Sequence, residues 1–438
     1  MSEQRFAARL YLPSQAATET EATIVRWHVA PGASFSRGDC LAEVESAKST
    51  FDFEAPCSGT VTTLLFTDGQ TASYDEPVIE VLTSDESLRN GVQPCAAAGS
   101  GEPEMSVPAV ENLCVPSRGD DVYMLGVGTY LPQRIVLNSE LLETFPDMTE
   151  EYLFGVTGIR QRHWAAEGEK PSDMAFAAAR RAIDASGIPA SDIGAIVVAT
   201  TTPDVIMPST ACILQSRLEL WGIPAFDLNA ACSGWLYGIS VAKGMVRSGL
   251  ADTVLVVGVD QQSGLLDRSD KGTAFLFGDG AGATIVSGRH RGHIIKKEIL
   301  LADARGLRMA RREQCGYTIA TTGTDPYIRL DGHALFRFAT GSFTSVINDI
   351  IGKSGWEAGD VRWVIPHQAN GRILKAVSRK IGIPFERVLI NIDHVGNTSS
   401  ASIPLAMVEV ERGLQRGDKL VLCSVGAGVT AAAISIEW

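Results

Sequence analysis

The chain has 438 residues, of which 45% are hydrophobic and 20% charged, and this composition is ordinary for a globular protein of two or three domains. The formal net charge of −13 argues against a general nucleic-acid binder, no apolar run reaches the length of a membrane span, and the first residues lack the pattern of a signal peptide. The eight cysteines form no CxxC pair, which argues against a disulfide framework or a metal site and favours a reducing, cytoplasmic location.

Residues 1–83 are predicted to form a small all-β domain. The segments EATIVRWHV and CLAEVES alternate between apolar and polar residues, and GTVTTLLF and DEPVIEVL follow after Pro56. These segments form two similar halves around Lys48, which lies in a short polar segment between two predicted strands. A lysine at the tip of a rigid hairpin would be accessible to an enzyme that acylates its amine.

The frame around Lys48 resembles the lipoyl and biotinyl attachment domain. The matching segments are VRWHVAPG (25–32), GDCLAEVESAK (38–48) and APCSGTV (55–61). The resemblance implies a flattened barrel of two small sheets, with the modified lysine at the tip of a tight hairpin. Biotin acceptors usually have Met on both sides of the lysine, whereas Lys48 is flanked by Ala47 and Ser49. Many lipoyl acceptors have Asp at the position of Ala47. We therefore expect lipoic acid on Lys48 rather than biotin; the alternative is an unmodified domain that serves only for docking.

Residues 84–120 differ in character from the segments on either side. They are rich in Ala, Gly, Ser, Pro and Glu and have no sustained periodicity. This composition predicts a flexible linker that lets the small domain move through distances on the order of tens of ångströms.

Residues 121–438 are predicted to form a layered α/β domain of two similar halves. GAIVVAT (194–200) and TVLVVGVD (253–260) are continuous apolar runs, which are typical of strands buried on both faces. PSDMAFAAARRAIDASG (171–187) and WLYGISVAKGMVRSG (235–249) have helical spacing and end at Gly. The second half repeats the pattern, with helices predicted in GHALFRFATGSFTSVINDIIGKSG and RILKAVSRKIG and strands in WVIP, KLVLCSV and AAISIEW.

Three residues of this domain form a chemical pattern. Cys232 lies between an apolar strand and a helix in FDLNAACSGWLYGIS, so the helix dipole favours its thiolate and its own amide can face a thioester oxyanion. His367 follows a buried strand in VIPHQANGRI, and Asn397 lies in a Gly-rich turn predicted between a strand and a helix in NIDHVGNTSSASIP. Each residue alone is more often structural, whereas the three at equivalent strand ends indicate a nucleophile with two hydrogen-bonding partners.

Residues 121–438 resemble β-ketoacyl-acyl-carrier-protein synthase III, a family of the thiolase fold. The matching motifs are GVGTYLPQRIVLN, TGIRQRH, VVATTTPDVIMPSTACILQ, DLNAACSGW, FGDGAGA, PHQAN, GNTSSASIP and SVGAGVTAA. The resemblance implies a five-layered αβαβα architecture, a homodimer and a catalytic triad of Cys232, His367 and Asn397. Cys232 would take an acyl group from a thioester, and His367 and Asn397 would donate hydrogen bonds to the enolate that forms as a malonyl thioester loses carbon dioxide. By the same resemblance, the acyl oxyanion is held by the amide of Cys232 and one from Gly426, Ala427 or Gly428.

The predicted mouth of the active-site tunnel departs from the family. Members that load from acyl-coenzyme A hold the adenine between a Trp and an Arg, with a second Arg nearby, and these positions correspond to Tyr152, Lys271 and Val156. Lysine lacks the planar fork of arginine, and valine removes a partner for phosphate or adenine. We therefore expect weakened recognition of coenzyme A; the alternative is that coenzyme A binds through other contacts.

Two further sets of residues are assigned by the resemblance. The basic face of RILKAVSRKIG suits an acidic acyl carrier protein, although a helix face that is merely solvated is the alternative. Its residues are Arg372, Lys375, Arg379 and Lys380. Met207 and Phe336 are assigned to the acyl pocket. Met207 stands where the family usually has a Phe that reaches across the dimer and limits the size of the starter. A flexible methionine there would admit a longer or branched acyl group.

The two domains together suggest how the starter group arrives. The hypothesis is that a thiamine-dependent 2-oxo acid dehydrogenase component acylates the lipoyl group of Lys48, that Cys232 takes this acyl group, and that the enzyme condenses it with malonyl-acyl carrier protein to start fatty-acid or polyketide synthesis. The linker would hold the donor at a roughly millimolar effective concentration. The alternatives are acyl transfer to a carrier thiol, alcohol or amine without condensation, and a ketosynthase loaded from coenzyme A whose first domain only docks. A non-catalytic binding protein is disfavoured by the full triad.

Overall fold

The computed structural model describes residues 5–12, 21–46, 50–73, 76–85, 121–312 and 325–438. The chain divides into two compact units, Met1–Ser106 and Val107–Trp438. Lys48 and residues 86–120 of the predicted linker lie outside the described residues, so the linker and the domain boundaries at 83 and 121 stay predictions.

In its described part, the first unit consists of short strands in two four-stranded sheets. The strands are β1 (Phe6–Tyr11), β2 (Glu21–Trp27), β3 (Ser34–Phe35), β4 (Cys40–Glu45), β5 (Thr50–Glu54), β6 (Gly59–Leu64), β7 (Thr71–Ser73) and β8 (Pro77–Thr83). One sheet has the order β1-β8-β6-β3 and the other β5-β4-β2-β7. Alternate side chains, among them Ile24, Leu41, Phe53 and Ile79, form one buried core. The predicted all-β barrel of two small sheets is confirmed.

Strands β4 and β5 form an antiparallel hairpin on either side of the Lys48 position in the sequence. Their register places Glu43 opposite Asp52 and Glu45 opposite Thr50, which leaves only the residues between Glu45 and Thr50 to connect them. Because side chains alternate along a strand, the carboxylates of these two strands share the outward face, where Glu54 lies as well. The strand pair on either side of the proposed attachment lysine in the sequence therefore presents an acidic surface.

The second unit alternates strands and helices, as predicted. Its strands are β9 (Tyr123–Tyr130), β10 (Arg134–Leu137), β11 (Gln161–Trp164), β12 (Ala195–Ala199), β13 (Ala225–Leu228), β14 (Thr253–Asp260), β15 (Gly280–Ser287), β16 (His293–Ala302), β17 (Ala310–Arg311), β18 (Arg329–Leu330), β19 (Val361–Pro366), β20 (Lys419–Gly426) and β21 (Thr430–Glu437). Its described helices are α1 (Asn138–Leu142), α2 (Glu150–Thr157), α3 (Pro171–Ser186), α4 (Thr210–Arg217), α5 (Gly234–Ser248), α6 (Gly332–Lys353), α7 (Gly371–Ile381), α8 (Ile392–Val395) and α9 (Ser402–Val410). None of these helices is both long enough and apolar enough to cross a membrane.

Nine strands of this unit form a sheet in the order β13-β12-β14-β15-β9-β16-β21-β20-β19. The two halves have similar patterns: β12 runs parallel to β13 and β14 in the first half, β19 runs parallel to β20 in the second, and the remaining neighbours are antiparallel. The halves meet at the short pairing of β9 with β16. The carboxyl ends of β13 and β19, at opposite edges of the sheet, precede Cys232 and His367.

Three buried clusters give the unit five layers. The central cluster packs α5 and α9 between the two halves of the sheet, with Trp235 and Ile403 among its members. A second cluster packs α3 and α4 on the outer face of the first half, and a third packs α6 and α7 on the outer face of the second half. Strands covered on both faces are almost entirely apolar, which is why β12 and β14 were predictable as continuous hydrophobic runs. The five-layered thiolase architecture is confirmed.

Candidate active site

A cavity of about 1000 Å³ lies in the second unit, and Cys232, His367 and Asn397 all line it. The three residues are far apart in the sequence and come from both halves of the unit, so the sheet topology brings them together. Within the described residues, no group of three or more His, Cys, Asp or Glu side chains is arranged to hold a metal ion.

Cys232 lies at a sharp turn between β13 and α5. The preceding residue, Ala231, has φ +49°, a left-handed backbone that is rare for a residue with a Cβ and recurs at functional sites. Helix α5 begins at Gly234, which puts the positive end of its dipole beside the thiol. The hydroxyl of Ser399, which itself has φ +51°, donates a hydrogen bond to Sγ at 3.6 Å. Burial raises the pKa of Cys232 to about 12, while the Ser399 hydrogen bond opposes that rise.

The backbone around Cys232 is held by the loop after β20. Ser424 Oγ donates to the Cys232 carbonyl oxygen at 2.9 Å. A Cβ on Gly426 would lie 2.8 Å from the Cys232 amide nitrogen, so this close approach requires glycine. Gly426, Ala427 and Gly428 line the cavity together with Cys232. Both segments therefore border the cavity into which Cys232 opens.

His367 follows β19 directly and is 1% exposed. Its backbone amide donates to the Cys423 carbonyl at 2.7 Å, and its Nδ1 lies 2.6 Å from Ser402 Oγ. Burial lowers the pKa of His367 to about 3, so the ring is neutral at neutral pH. A neutral imidazole that accepts the Ser402 hydroxyl at Nδ1 carries its proton on Nε2 and can donate it to a substrate.

Asn397 does not follow a strand, and the prediction of a strand before it was wrong. The preceding segment turns into α8, a single helical turn, because the backbone amides of His394 and Val395 donate to the Asn391 carbonyl oxygen. Asn397 is instead fixed by backbone hydrogen bonds to Leu276 and Gly278. Its Oδ1 accepts from the Ser399 amide at 3.0 Å, so its Nδ2 is the group that can donate.

Sequence reasoning missed Ser399, Ser402 and Asp260. Ser399 contacts both Cys232 and Asn397, and Ser402 contacts His367. Asp260 is buried and accepts hydrogen bonds from Thr201 and from Ser400 Oγ at 2.8 Å, which ties the GNTSSASIP loop to the end of β14. The serine run in that motif was a visible signal, but its spacing does not tell which hydroxyl faces which catalytic group.

The residues assigned to the tunnel mouth line the same cavity. Tyr152 is 56% exposed, and Val156 is tied to the start of α7, because Asn370 Nδ2 donates to its carbonyl at 3.1 Å. Lys271 Nζ donates to Asp147 Oδ2 at 2.6 Å, so its ammonium already has an anionic partner. Arg311 and Arg312 also line the cavity and add positive charge.

The remaining predicted site residues lie as follows. The four basic side chains Arg372, Lys375, Arg379 and Lys380 are exposed on α7, whose first residues border the cavity. Phe336 lines the cavity. Met207 is 87% exposed, in the segment before α4, and is not among the residues that line the cavity in the single chain.

Known proteins resemble both units. Residues 226–303 match the family described as 3-oxoacyl-[acyl-carrier-protein] synthase III, residues 351–438 match its C-terminal part, and residues 9–81 match the family described as biotin-requiring enzyme. The β-ketoacyl-[acyl-carrier-protein] synthase III of Xanthomonas oryzae is 41% identical over 313 residues, which cover 69% of this chain and 94% of that protein.

Two solved structures are similar in fold and sequence. The 3-oxoacyl-[acyl-carrier-protein] synthase III of Aquifex aeolicus is 35% identical with a TM-score of 0.68, and the match covers 72% of this chain and 100% of that one. The priming β-ketosynthase of the R1128 polyketide biosynthetic pathway is 32% identical with a TM-score of 0.70, and the match covers 75% and 98%.

Proposed function

This chain belongs to the 3-oxoacyl-[acyl-carrier-protein] synthase III family of condensing acyltransferases, and from that premise we propose that Cys232 accepts a starter acyl group and condenses it with malonyl-acyl carrier protein. The chain also has an N-terminal domain of the type that carries a covalent lipoyl or biotin group. The observation that carries the proposal is that Cys232, His367 and Asn397 line one cavity, with Cys232 at the N-terminus of α5.

Acylation begins with Cys232. Its Sγ attacks the carbonyl carbon of an acyl thioester, the carbonyl oxygen becomes an oxyanion, and the donor thiol leaves with the proton that Cys232 gives up. The amide of Cys232 and an amide of the Gly426–Gly428 segment are the donors to that oxyanion. A helix dipole and the Ser399 hydroxyl favour thiolate character in the buried group as the bond forms.

Decarboxylation of the malonyl thioester relies on His367 and Asn397. His367 Nε2 and Asn397 Nδ2 donate to the thioester oxygen and stabilise the enolate that forms as carbon dioxide leaves. The resulting carbanion attacks the acyl-Cys232 carbonyl, a carbon–carbon bond forms, and Sγ is released. The neutral state of His367 fits this role, since a neutral ring can donate from Nε2 while Nδ1 accepts from Ser402.

The starter, in our proposal, comes from a lipoyl group on Lys48. A lipoyl group would supply a disulfide, which a 2-oxo acid and a thiamine-dependent enzyme would reduce to one thiol and one acyl thioester as the 2-oxo acid loses carbon dioxide. The paired strand ends Glu45 and Thr50 leave a short connection for Lys48, which fits an exposed attachment hairpin. The tunnel mouth of the second unit supports this proposal, because Val156 has no charge there and Lys271 is paired with Asp147. Both features weaken the binding of coenzyme A at the tunnel mouth. A donor tethered to the same chain does not depend on that binding, because the tether keeps it at a high effective concentration.

The test uses the full-length lipoylated protein without coenzyme A. The protein is incubated with a 2-oxo acid, its thiamine-dependent enzyme and malonyl-acyl carrier protein, and 3-oxoacyl-carrier protein is measured over one turnover, because each transfer leaves the lipoyl group reduced. We expect Lys48→Ala to abolish product and Lys353→Ala, an exposed lysine on α6, to have no effect.

A free acyl thioester separates the two parts of the proposal. Acyl-N-acetylcysteamine should still prime Lys48→Ala, because Cys232 and the cavity are unchanged, and Cys232→Ala should make product from neither donor. Equal product from wild type and Lys48→Ala in the coenzyme A-free assay would show that the first domain only docks. Acyl-Cys232 that forms without release of carbon dioxide from malonyl-carrier protein would favour acyl transfer without condensation.

Two surfaces fit the partners of this reaction. The exposed basic residues of α7 suit an acidic acyl carrier protein, because Ile373 of the same helix lines the cavity and no ion pair joins the four basic side chains to another described residue. The edge strand β13 and the exposed Ile206 and Met207 suit a second copy of the chain, since an unpaired edge beside apolar side chains favours association.

A further inference from the structure

Gln262 puts a polar side chain into the wall of the cavity that contains Cys232. It is 4% exposed, and Thr201 and Asn229 line the same cavity. Much of the remaining wall is apolar, with Leu265, Phe275 and Phe277 among its residues. A buried amide in such surroundings needs hydrogen-bond partners, because an unpaired buried polar group is costly.

The sheet topology brings the three polar residues to one place. Asn229 follows β13, Thr201 lies shortly after β12, and Gln262 lies shortly after β14. These three strands are adjacent and parallel, and Ala199 of β12 pairs with Leu228 of β13 and Gly258 of β14. The three side chains therefore lie at the carboxyl ends of neighbouring strands, where open α/β sheets bind ligands.

A chain of hydrogen bonds fixes the orientation of the Gln262 amide. Thr201 Oγ1 lies 2.8 Å from Asp260 Oδ1, and a carboxylate can only accept, so the single hydroxyl proton of Thr201 goes to Asp260. Thr201 Oγ1 must then accept from Gln262, whose Nε2 lies 3.1 Å away. The Gln262 oxygen, Oε1, is thereby left as the free end of the amide.

Oε1 of Gln262 accepts no hydrogen bond from any described residue, and it is not one of the fully enclosed polar atoms without a partner. Because Gln262 lines the cavity, Oε1 is the end of its amide that can accept from a ligand there. Asn229 has the opposite polarity, because its Oδ1 accepts from the Ala231 amide at 3.1 Å and its Nδ2 is left as a donor. The wall beside Cys232 thus offers one acceptor and one donor.

We propose that Gln262 and Asn229 select a starter acyl group that carries a hydroxyl. A hydroxyl donates to Oε1 of Gln262 and accepts from Nδ2 of Asn229, whereas an oxo group has no proton for Oε1. A cationic substituent is disfavoured, since Lys271 and Arg312 line the same cavity. The inference rests on the proposed acylation of Cys232 and adds the substrate class. A plain alkyl chain leaves Oε1 desolvated and unpaired, and sites built to bind a hydroxyl reject the analogue that lacks it.

The experiment compares three starters of equal chain length on the full-length protein. N-acetylcysteamine thioesters of butyrate and of 3- and 4-hydroxybutyrate are offered separately, and the rate constant for acylation of Cys232 is measured by intact mass. We expect the better hydroxylated thioester to exceed butyryl by at least about tenfold in the wild type. Gln262→Leu should reverse this ratio, and Gln261→Leu, at a neighbouring residue that does not line the cavity, should preserve it.

The ratio within each variant does not depend on the fraction of folded protein, so a destabilised variant still gives an answer. Preference for butyryl in the wild type, or the same ratio in wild type and Gln262→Leu, would overturn the hydroxyl assignment while leaving acylation of Cys232 intact. Failure of every thioester to acylate Cys232 would overturn the proposed function and this inference together.

Discussion

Oγ of Ser402 and Nδ1 of His367 lie 2.6 Å apart, both in the buried interior of the second unit. Ser402 is the first residue of α9, and α9 packs in the central layer, so the hydroxyl is held by a rigid element. A Ser402 hydroxyl that donates to Nδ1 leaves the imidazole proton on Nε2, the nitrogen that remains available to a substrate. The pair therefore sets which tautomer His367 presents.

Ser402→Ala should slow decarboxylation of malonyl-carrier protein by about tenfold or more, because Nε2 is no longer held as a donor. Acylation of Cys232 should change little, since that step uses amides and the thiol. The two rates are measured separately, by carbon dioxide release and by intact mass. Ser402→Thr, which keeps a hydroxyl, should recover part of the decarboxylation rate. Equal loss of both half-reactions would instead indicate general damage to the site.

The pH dependence of the thiol is a second prediction. Burial raises the pKa of Cys232 to about 12, so the free enzyme holds a protonated thiol at neutral pH. Since the thiolate is the form that reacts, alkylation of Cys232 by iodoacetamide should rise by about tenfold per pH unit between pH 7 and 9 without a plateau. Cys232→Ala provides the background from the other cysteines. A plateau below pH 9 would mean that the dipole of α5 outweighs burial.

The sequence was sufficient for the elements that have strong periodicity and for the residues that follow them. Cys232 after β13 and His367 after β19 were predictable because an apolar run ends just before each residue. Asn397 was predicted after a strand and follows α8, because a four-residue helix is too short to give a periodic signal. Strands β3 and β7 are also too short to give a periodic signal in the sequence.

Contacts between distant segments were beyond sequence reasoning. Lys271 was identified from the sequence because it stands where the family has an arginine. Its partner Asp147 is separated from it by 124 positions, so the sequence did not show the pair. Gln262 and Thr201 follow different strands, and only the parallel pairing of β12 with β14 brings them together. The predictions that use Asp147 and Gln262 therefore depend on the three-dimensional structure.

The Lys271–Asp147 pair leads to a third prediction, about coenzyme A. Asp147 holds the Lys271 ammonium at 2.6 Å, and this hydrogen bond lowers the pKa of the carboxyl. Asp147→Asn should free the ammonium for a phosphate and lower the KM for acyl-coenzyme A several-fold, and Val156→Arg should lower it further. Priming by acyl-N-acetylcysteamine, which has no phosphate, should be unchanged. Asp184→Asn, an exposed carboxylate on α3, is the matched control. An unchanged KM for acyl-coenzyme A in both mouth variants would mean that this ligand does not reach Lys271.

The last prediction concerns the exposed apolar segment before α4. Ile206 is 66% exposed and Met207 is 87% exposed, and the segment is anchored to the edge strand β13 because the backbone amides of Thr210 and Ala211 donate to the Asp227 carboxylate at 2.7 Å. Exposed apolar side chains beside an open sheet edge favour pairing with a second copy. Ile206→Asp should therefore shift the protein from dimer to monomer in analytical ultracentrifugation.

The matched control is Leu250→Asp, because Leu250 is 64% exposed but lies just beyond the end of α5. It should leave the sedimentation coefficient unchanged. If Met207 reaches the acyl pocket of the partner copy, Ile206→Asp should also reduce acylation of Cys232 for long starters more than for acetyl, because only a long chain extends to the dimer interface. A wild-type chain that sediments as a monomer at micromolar concentration would contradict both the dimer and this role for Met207.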